Sequence, residues 1–427
     1  MSNKNSNTGK KSKNAPLTKK EELIAYIKDN IIFLSACALI TIFSIIALIV
    51  ILVRNSDNRN DNNTNRPDSN SSHVTPDVGD GGEKEEPIPD DSGFENQPTQ
   101  DKTQFKAYSF NYFDTVSYII GYEVTGDEFG VASNEALELL GEYHKLFDIY
   151  NEYDGIVNLC TINKNAGNGP MVVDQKIIDM LVFAKHMHKV TDGKMNIAMG
   201  SVLSIWHDYR TAGSENPGKA ELPPMDLLTE ASYHTNIEDL IIDEENCTVY
   251  LKDPKMKLDV GAFAKGYAVE MVAKMLESKG KTNYVVNVGG NIRTTGTKAN
   301  GDPWMTGVEN PTGDYDVPYI EYLNLVDCAI VTSGSYQRYY LVGGKRYHHI
   351  IDPDTLMPSE KGFLSVSIVC NNSSLGDGLS TALFCMTLEE GMELINSLDG
   401  VEAMWYTTDE VKYYSAGFNR YIAEATN

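Results

Sequence analysis

Hydrophobic and polar positions divide the chain into three parts. Residues 31–53, IIFLSACALITIFSIIALIVILV, form an uncharged apolar run of 23 residues, and about 20 such residues cross a bilayer as a helix. Residues 54–104 are rich in Asn, Asp, Ser, Pro and Gly with Phe94 the single aromatic; too little apolar surface is present to offset ordering entropy, which predicts a disordered acidic linker. From residue 105 to 427, strand-like runs (KAYSFNYF, NYVVNVGG, FLSVSIVC) mix with helical ones (NEALELLGEYHKLFDIY, DQKIIDMLVFAKHMHKV, AFAKGYAVEMVAKMLESKG). The lack of a strict βαβ alternation predicts an α+β domain.

Charge sets the orientation of the apolar run. Seven lysines lie among residues 1–30 and the chain beyond Arg54 turns acidic. The lysine bias places residues 1–30 in the cytoplasm as a basic tail and everything after the span outside, giving a single-pass protein of the cell membrane. A cleaved signal peptide is disfavoured because the run is long and ends IVILVRN. The tetrapeptide LSAC, Leu34 to Cys37, has the look of a lipoprotein box, but most of the apolar run follows it instead of preceding it. The formal net charge is −24, which argues against a nucleic-acid surface, since that needs a basic stripe. The six cysteines are dispersed with no CxxC pair, and most sit in apolar company as expected for buried free thiols.

Several stretches of the folded part carry candidate chemistry. In LGDGLSTALFCM (375–386), a helix puts Asp377, Ser380 and Thr381 on one face, as a cap or as oxygen ligands for a hard cation. In LDVGAFAKGYAVEMVAKM, Asp259 lies near a helix start, where a carboxylate or a phosphate is favoured, and Lys265 follows one turn in; a capped amphipathic helix with a surface lysine has the same pattern. VVNVGGNIRTTG is a strand entering a Gly-Gly-Asn turn. SGSYQRYYLVGGKRYHHIIDPDT reads as a strand, a Gly-Gly hairpin and a second strand on which His348 and His349 face opposite ways. Lys194, Met195 and Asn196 form a loop able to embrace a flat ring.

Together these stretches resemble the ApbE flavin transferases, which move FMN from FAD onto a protein threonine or serine. The matching motifs are Asp259–Ala268 (D-x-G-x-x-A-K-G-Y-A), Asn287–Ile292 (N-x-G-G-N-I), Thr332–Tyr339 (T-S-G-x-Y-x-R-Y), His349–Pro358 (H-I-I-D-P-x-T-x-x-P), Leu375–Ala382 and Thr191–Trp206. Their order and spacing agree over the region from 105 to 427. The resemblance implies an ApbE-like, T-fold-related single catalytic domain. It implies Mg²⁺ on Asp377, Thr381 and the Ala262 carbonyl with Ser380 close by, and FAD, as substrate, against Phe113, Tyr150, Lys194, Met195, Asn196, Asp259, Lys265, His349 and Ile350. Asp377 and His349 become the catalytic candidates, with His349 or a nearby acid as proton acceptor. Asn196 stands where the family usually has Asp, and Gly378 where it has Ala.

The family's acceptors carry a motif like D-x-x-[ST]-G-A-[TS]. DGLSTAL (377–383) matches its start, but Leu383 occupies the hydroxyl position, so the acceptor is expected to be another protein outside the cytoplasm, a redox subunit or a flavin-carrying lipoprotein. An FAD pyrophosphatase would use the same pocket with water as nucleophile, and a non-catalytic FAD-binding protein would need the pocket alone.

Overall fold

The computed structural model describes residues 102–424. The proposed basic tail, transmembrane helix and most of the linker lie outside the described residues. Among the described residues, no helix is long and apolar enough to cross a membrane.

The elements in chain order are β1 (Thr103–Tyr112), β2 (Thr115–Glu123), α1 (Gly126–Phe147), α2 (Leu159–Lys164), β3 (Met171–Val172), α3 (Gln175–Val190), α4 (Gly200–Glu215) and α5 (Met225–Ser232). They continue with β4 (Leu240–Asp243), β5 (Thr248–Leu251), α6 (Ala264–Ser278), β6 (Asn283–Val288), β7 (Asn291–Gly296), β8 (Trp304–Glu309), β9 (Tyr319–Leu325) and β10 (Ala329–Gly334). The last are β11 (Tyr339–Val342), β12 (Lys345–His348), β13 (Phe363–Cys370), α7 (Ser373–Phe384), α8 (Leu388–Asn396), β14 (Glu402–Thr407) and β15 (Lys412–Tyr414). The fold is α+β, as the mixed pattern predicts. β1 starts two residues inside the predicted linker because Thr103 and Gln104 pair with Glu123 and Tyr122.

Eight strands form one sheet in the order β1-β2-β6-β7-β10-β13-β14-β15, with every neighbouring pair antiparallel. Strands such as NYVVNV and FLSVSIVC are buried at nearly every position because both faces are covered. On one face Val286, Val288, Val366 and Ile368 join the core with Leu140 of α1, Ala268 and Val272 of α6, and Leu379 and Leu383 of α7. On the other, Val285, Ile330 and Val369 pack under Trp304, Val308, Leu323 and Leu325 of the β8–β9 ribbon. Each fully buried aliphatic side chain of this kind contributes about 1.5–3 kcal/mol.

Local signals fix the helix starts that matter most. Thr125 and Glu128 form a reciprocal capping box at α1, and the Asn372 side chain accepts from the Ser374 and Leu375 amides at α7, satisfying donors that have no partner inside the helix. Gly289 and Gly290 make the two-residue turn between β6 and β7, with φ of 57° and 90°, a hairpin geometry that needs glycine. Cys160, Cys328, Cys370 and Cys385 are buried free thiols and Cys247 is partly buried and free.

The strand predicted from Ser333 onward is two pieces: β10 ends at Gly334 and β11 begins at Tyr339. His349 lies one residue past the end of β12, where its amide donates to the Arg338 carbonyl at 3.1 Å. The two histidines therefore do not simply alternate across a strand.

Candidate active site

Residues from α4, α6, α7, β2, β10 and the β6–β7 turn line one open cleft of about 250 Å³. The cleft collects residues that are far apart in the chain, among them Tyr150, Asp259, Lys265, His349 and Asp377.

One part of the lining is built of oxygens. α6 and α7 approach closely because residue 266 is glycine: a Cβ there would stand 2.4 Å from both Asp377 Cβ and the Ser373 carbonyl oxygen. The Gly266 amide can then donate to Asp377 Oδ2 at 2.7 Å, and the buried Asn291 side chain donates to the same oxygen at 3.1 Å. Beside them Thr381 Oγ1 lies 3.3 Å from the Ala262 carbonyl oxygen and 3.3 Å from Ser333 Oγ. Burial pushes the Asp377 carboxyl above its ordinary range, against the pull of Lys265, the Gly266 amide and Asn291. A cation at this carboxylate would reverse that balance.

The donor set is one carboxylate, one hydroxyl and one backbone carbonyl, all hard oxygens. Among the described residues no group of three or more His, Cys, Asp or Glu is placed to hold a metal, which leaves no thiolate or imidazole cage for a softer ion. Ala262, Asp377 and Thr381 fit Mg²⁺, which takes few protein ligands and completes its shell with water and substrate phosphate oxygens.

A second part of the lining is cationic. Lys265, Arg210 and Arg338 all border the cleft, and among the described residues none of them forms a salt bridge. The Arg210 guanidinium reaches His207 Nδ1 at 3.1 Å, and the His207 ring lies 5.4 Å from that of Tyr150. Burial, then the Arg338 charge, lowers the Arg210 pKa. Two half-buried cations, Lys265 and Arg210, and the exposed Arg338, with no carboxylate at salt-bridge distance among the described residues, make a site for an anion with several oxygens.

His349 stands among these charges. Burial first, then Arg338, Arg210 and His348, bring its pKa down to about 3, so the imidazole is neutral near pH 7. Its Nδ1 lies 3.2 Å from the Arg338 carbonyl oxygen. A carbonyl only accepts, so Nδ1 carries the proton and Nε2 keeps a free lone pair. Burial also raises the Asp259 carboxyl, with the Gly261 amide, His207 and Arg210 acting the other way; its Oδ1 accepts from that amide at 2.8 Å.

Residues 113–405 match the model of the ApbE family. The chain belongs to that family. A Klebsiella pneumoniae relative named FAD:protein FMN transferase is 29% identical over 275 residues, covering 64% of this chain and 82% of its own. A Treponema pallidum protein of the same name is 32% identical over 273 residues, covering 61% and 73%. Among solved structures, the ApbE protein of Thermotoga maritima superposes with a TM-score of 0.65 at 27% identity, over 75% of this chain and all of the other. The flavin transferase ApbE of Vibrio cholerae gives 0.63 at 26% identity, over 75% and 99%.

Within this ApbE-family cleft most of the sequence candidates converge: Tyr150, Lys194, Met195, Asn196, Asp259, Ala262, Lys265, His349, Ile350, Asp377 and Thr381 all contribute to the lining. Two do not. Ser380 is fully buried behind Thr381, its hydroxyl within 3.0 Å of the Asp377 carbonyl and 2.8 Å of Ser333 Oγ. Phe113 occupies the β1–β2 turn at φ 55° and packs edge-on against His144 with centroids 5.6 Å apart, while Thr115 of the same turn borders the cleft. Lys194 reaches the lining with its ammonium already paired to Asp352 at 3.4 Å and to Asp354; burial lowers its pKa, but the two carboxylates raise it more. Asn196 shapes its own loop, accepting from Ala198 at 2.9 Å and donating to the Thr235 carbonyl at 3.0 Å.

Sequence reasoning gave no role to Asn291, Ser333, Arg338, His207 or Arg210. The first three lie inside the quoted motifs, so position was a signal for them. His207 and Arg210 follow Trp206 on α4, and the i, i+3 spacing that joins them was the available cue.

Proposed function

We propose that this protein transfers FMN from FAD to the hydroxyl of a threonine or serine in an acceptor protein, releasing AMP. The observation that carries the reading is the pairing, in one cleft, of a hard-oxygen set with three cations that have no carboxylate partner. FAD joins its halves through a pyrophosphate, and a pyrophosphate is the anion such a lining suits.

Lys265, Arg210 and Arg338 would bind and orient the phosphates, and Tyr150 with the 194–196 loop would hold the flavin ring. Mg²⁺, held by Asp377, Thr381 and the Ala262 carbonyl, would supply neutralisation of charge on the phosphoryl oxygens. The acceptor oxygen bonds to the FMN phosphorus as the P–O bond to AMP breaks, and His349 Nε2 takes the hydroxyl proton. Phosphoryl transfer asks little of a protein beyond positioning and charge stabilisation, and the binding of an anion beside Arg210 and Arg338 would raise the His349 pKa toward a useful value for a base.

The acceptor we propose carries a D-x-x-[ST]-G-A-[TS]-like segment. The uncharged run 31–53 supports a membrane anchor with the catalytic domain outside the cytoplasm, where tethering enzyme and acceptor to one surface raises their effective concentration.

The test is one incubation of the full chain with FAD, Mg²⁺ and a small protein bearing the acceptor segment, followed by a denaturing gel under ultraviolet light and by AMP measurement. A fluorescent acceptor band that disappears with EDTA and appears with equimolar AMP supports transfer. FMN and AMP without a labelled band would establish a hydrolase, and FAD binding without AMP would establish a binding protein.

A further inference from the structure

The Thr381 hydroxyl has two partners at the same distance, the Ala262 carbonyl and Ser333 Oγ, both at 3.3 Å. It has a single proton to give. If that proton points at Ala262, the hydroxyl and the carbonyl satisfy each other and neither offers its oxygen cleanly to a cation. If it points at Ser333, both oxygens are free to face the same ion.

Ser333 can take that proton because its own is accounted for. Ser380 Oγ donates to the Asp377 carbonyl at 3.0 Å, which makes Ser380 an acceptor for Ser333 at 2.8 Å. The donors then run in one direction: Thr381 to Ser333, Ser333 to Ser380, Ser380 to the main-chain carbonyl of Asp377. We infer that Ser333, on β10, is a positioning residue that turns Thr381 from a hydrogen-bond donor toward Ala262 into a cation ligand, with Ser380 fixing the direction of the chain. Ser380 is then on the oxygen face without being a ligand, which is why its hydroxyl is buried instead of lining the cleft. The inference rests on the cation site of the proposed function.

The measurement is a titration of the full chain with Mn²⁺ alone, followed by the electron paramagnetic resonance of free Mn²⁺, with the melting temperature taken in EDTA. Ser333→Ala removes the acceptor, and loss of such an outer partner weakens metal binding about 10- to 100-fold. Ser333→Thr keeps the hydroxyl and should bind within about threefold of wild type, well short of that loss. The melting temperature in EDTA should be the same for all three. Wild-type affinity in Ser333→Ala would overturn the inference, as would a matching fall in its EDTA melting temperature, which would mark Ser333 as a packing residue. No Mn²⁺ binding by the wild type would instead remove the cation site, and the inference with it.

Discussion

Gly266→Ala tests the helix contact on which the cleft depends. The added Cβ would stand 2.4 Å from Asp377 Cβ, 2.4 Å from the Ser373 carbonyl oxygen and 3.0 Å from Asp377 Oδ2. Two of these neighbours are a backbone oxygen and a first side-chain carbon, which cannot rotate away, so α6 and α7 must separate. Overpacking of this kind costs about 1–3 kcal/mol. Alanine returns at most about 1 kcal/mol through helix propensity, and less in a first turn. The net is destabilisation of about 1–2 kcal/mol, or roughly 1.5–3 °C in melting temperature for a domain of this size. The same separation lengthens the bond from the Gly266 amide to Asp377 Oδ2, so cation affinity should fall about 10-fold or more. Calorimetry of the full chain gives the first quantity and Mn²⁺ titration the second. A variant that melts at or above wild type and binds Mn²⁺ normally would show that the helices relax without cost, and the account of why residue 266 is glycine would be wrong.

Asp377→Asn should reduce FMN transfer at least 100-fold, about 3 kcal/mol, because the amide brings no charge and sets an N–H against the donors Gly266 and Asn291; turnover within threefold of wild type would remove Asp377 from the cation site. Arg338→Gln and Arg210→Gln should each raise the KM for FAD about 10-fold or more, the scale of a hydrogen bond to a charged group, and their weakening should shrink at high salt; unchanged KM in both would mean the anion binds elsewhere. The third expectation concerns pH. His349 has its pKa lowered in the folded protein to about 3 against about 6.5 unfolded. The unfolded state therefore binds more protons between these values, and stability falls as pH drops from about 6.5 toward 3. His349→Gln should lose less stability over that window than wild type, and parallel urea titrations at pH 7 and pH 4.5 would show it; identical losses would place the acid sensitivity in other groups.

Much of this site was legible locally. The face shared by Asp377 and Thr381 follows from helical spacing; Lys265 was legible as a helix-start residue, but α6 begins at Ala264 and makes it the second helical residue instead of one turn in. The Gly343–Gly344 hairpin likewise appears as read, with φ of 57° and 83°. What the sequence could not give is which side chains of distant strands meet that face. Ser380 shares the i+3 position that suggested a ligand, but only the presence of Ser333 opposite decides that its oxygen is spent inside the protein. Asn291 stood next to a glycine pair that reads as an ordinary turn, and its contact with Asp377 depends on β7 lying beside β10 in the sheet. Phe113 shows the reverse limit: the strand pattern ran through it, while a left-handed turn at Phe113 and Asp114 rotated Thr115 toward the cleft instead.

The contact between α6 and α7 joins residues 111 positions apart at Gly266 and Asp377, and 119 apart at Ala262 and Thr381. Between them the chain lays down β6, β7, β10 and β13, so assembling the oxygen cluster closes a loop that contains the centre of the sheet. Contacts of such long sequence separation form slowly. Assembly of the oxygen cluster thus reports late folding. A cation bound across it would also act as a folding clamp, adding about 2.7 kcal/mol to global stability at 100 times its dissociation constant. Newly made chains would then gain their last increment of stability from the ionic composition of the compartment in which they finish folding.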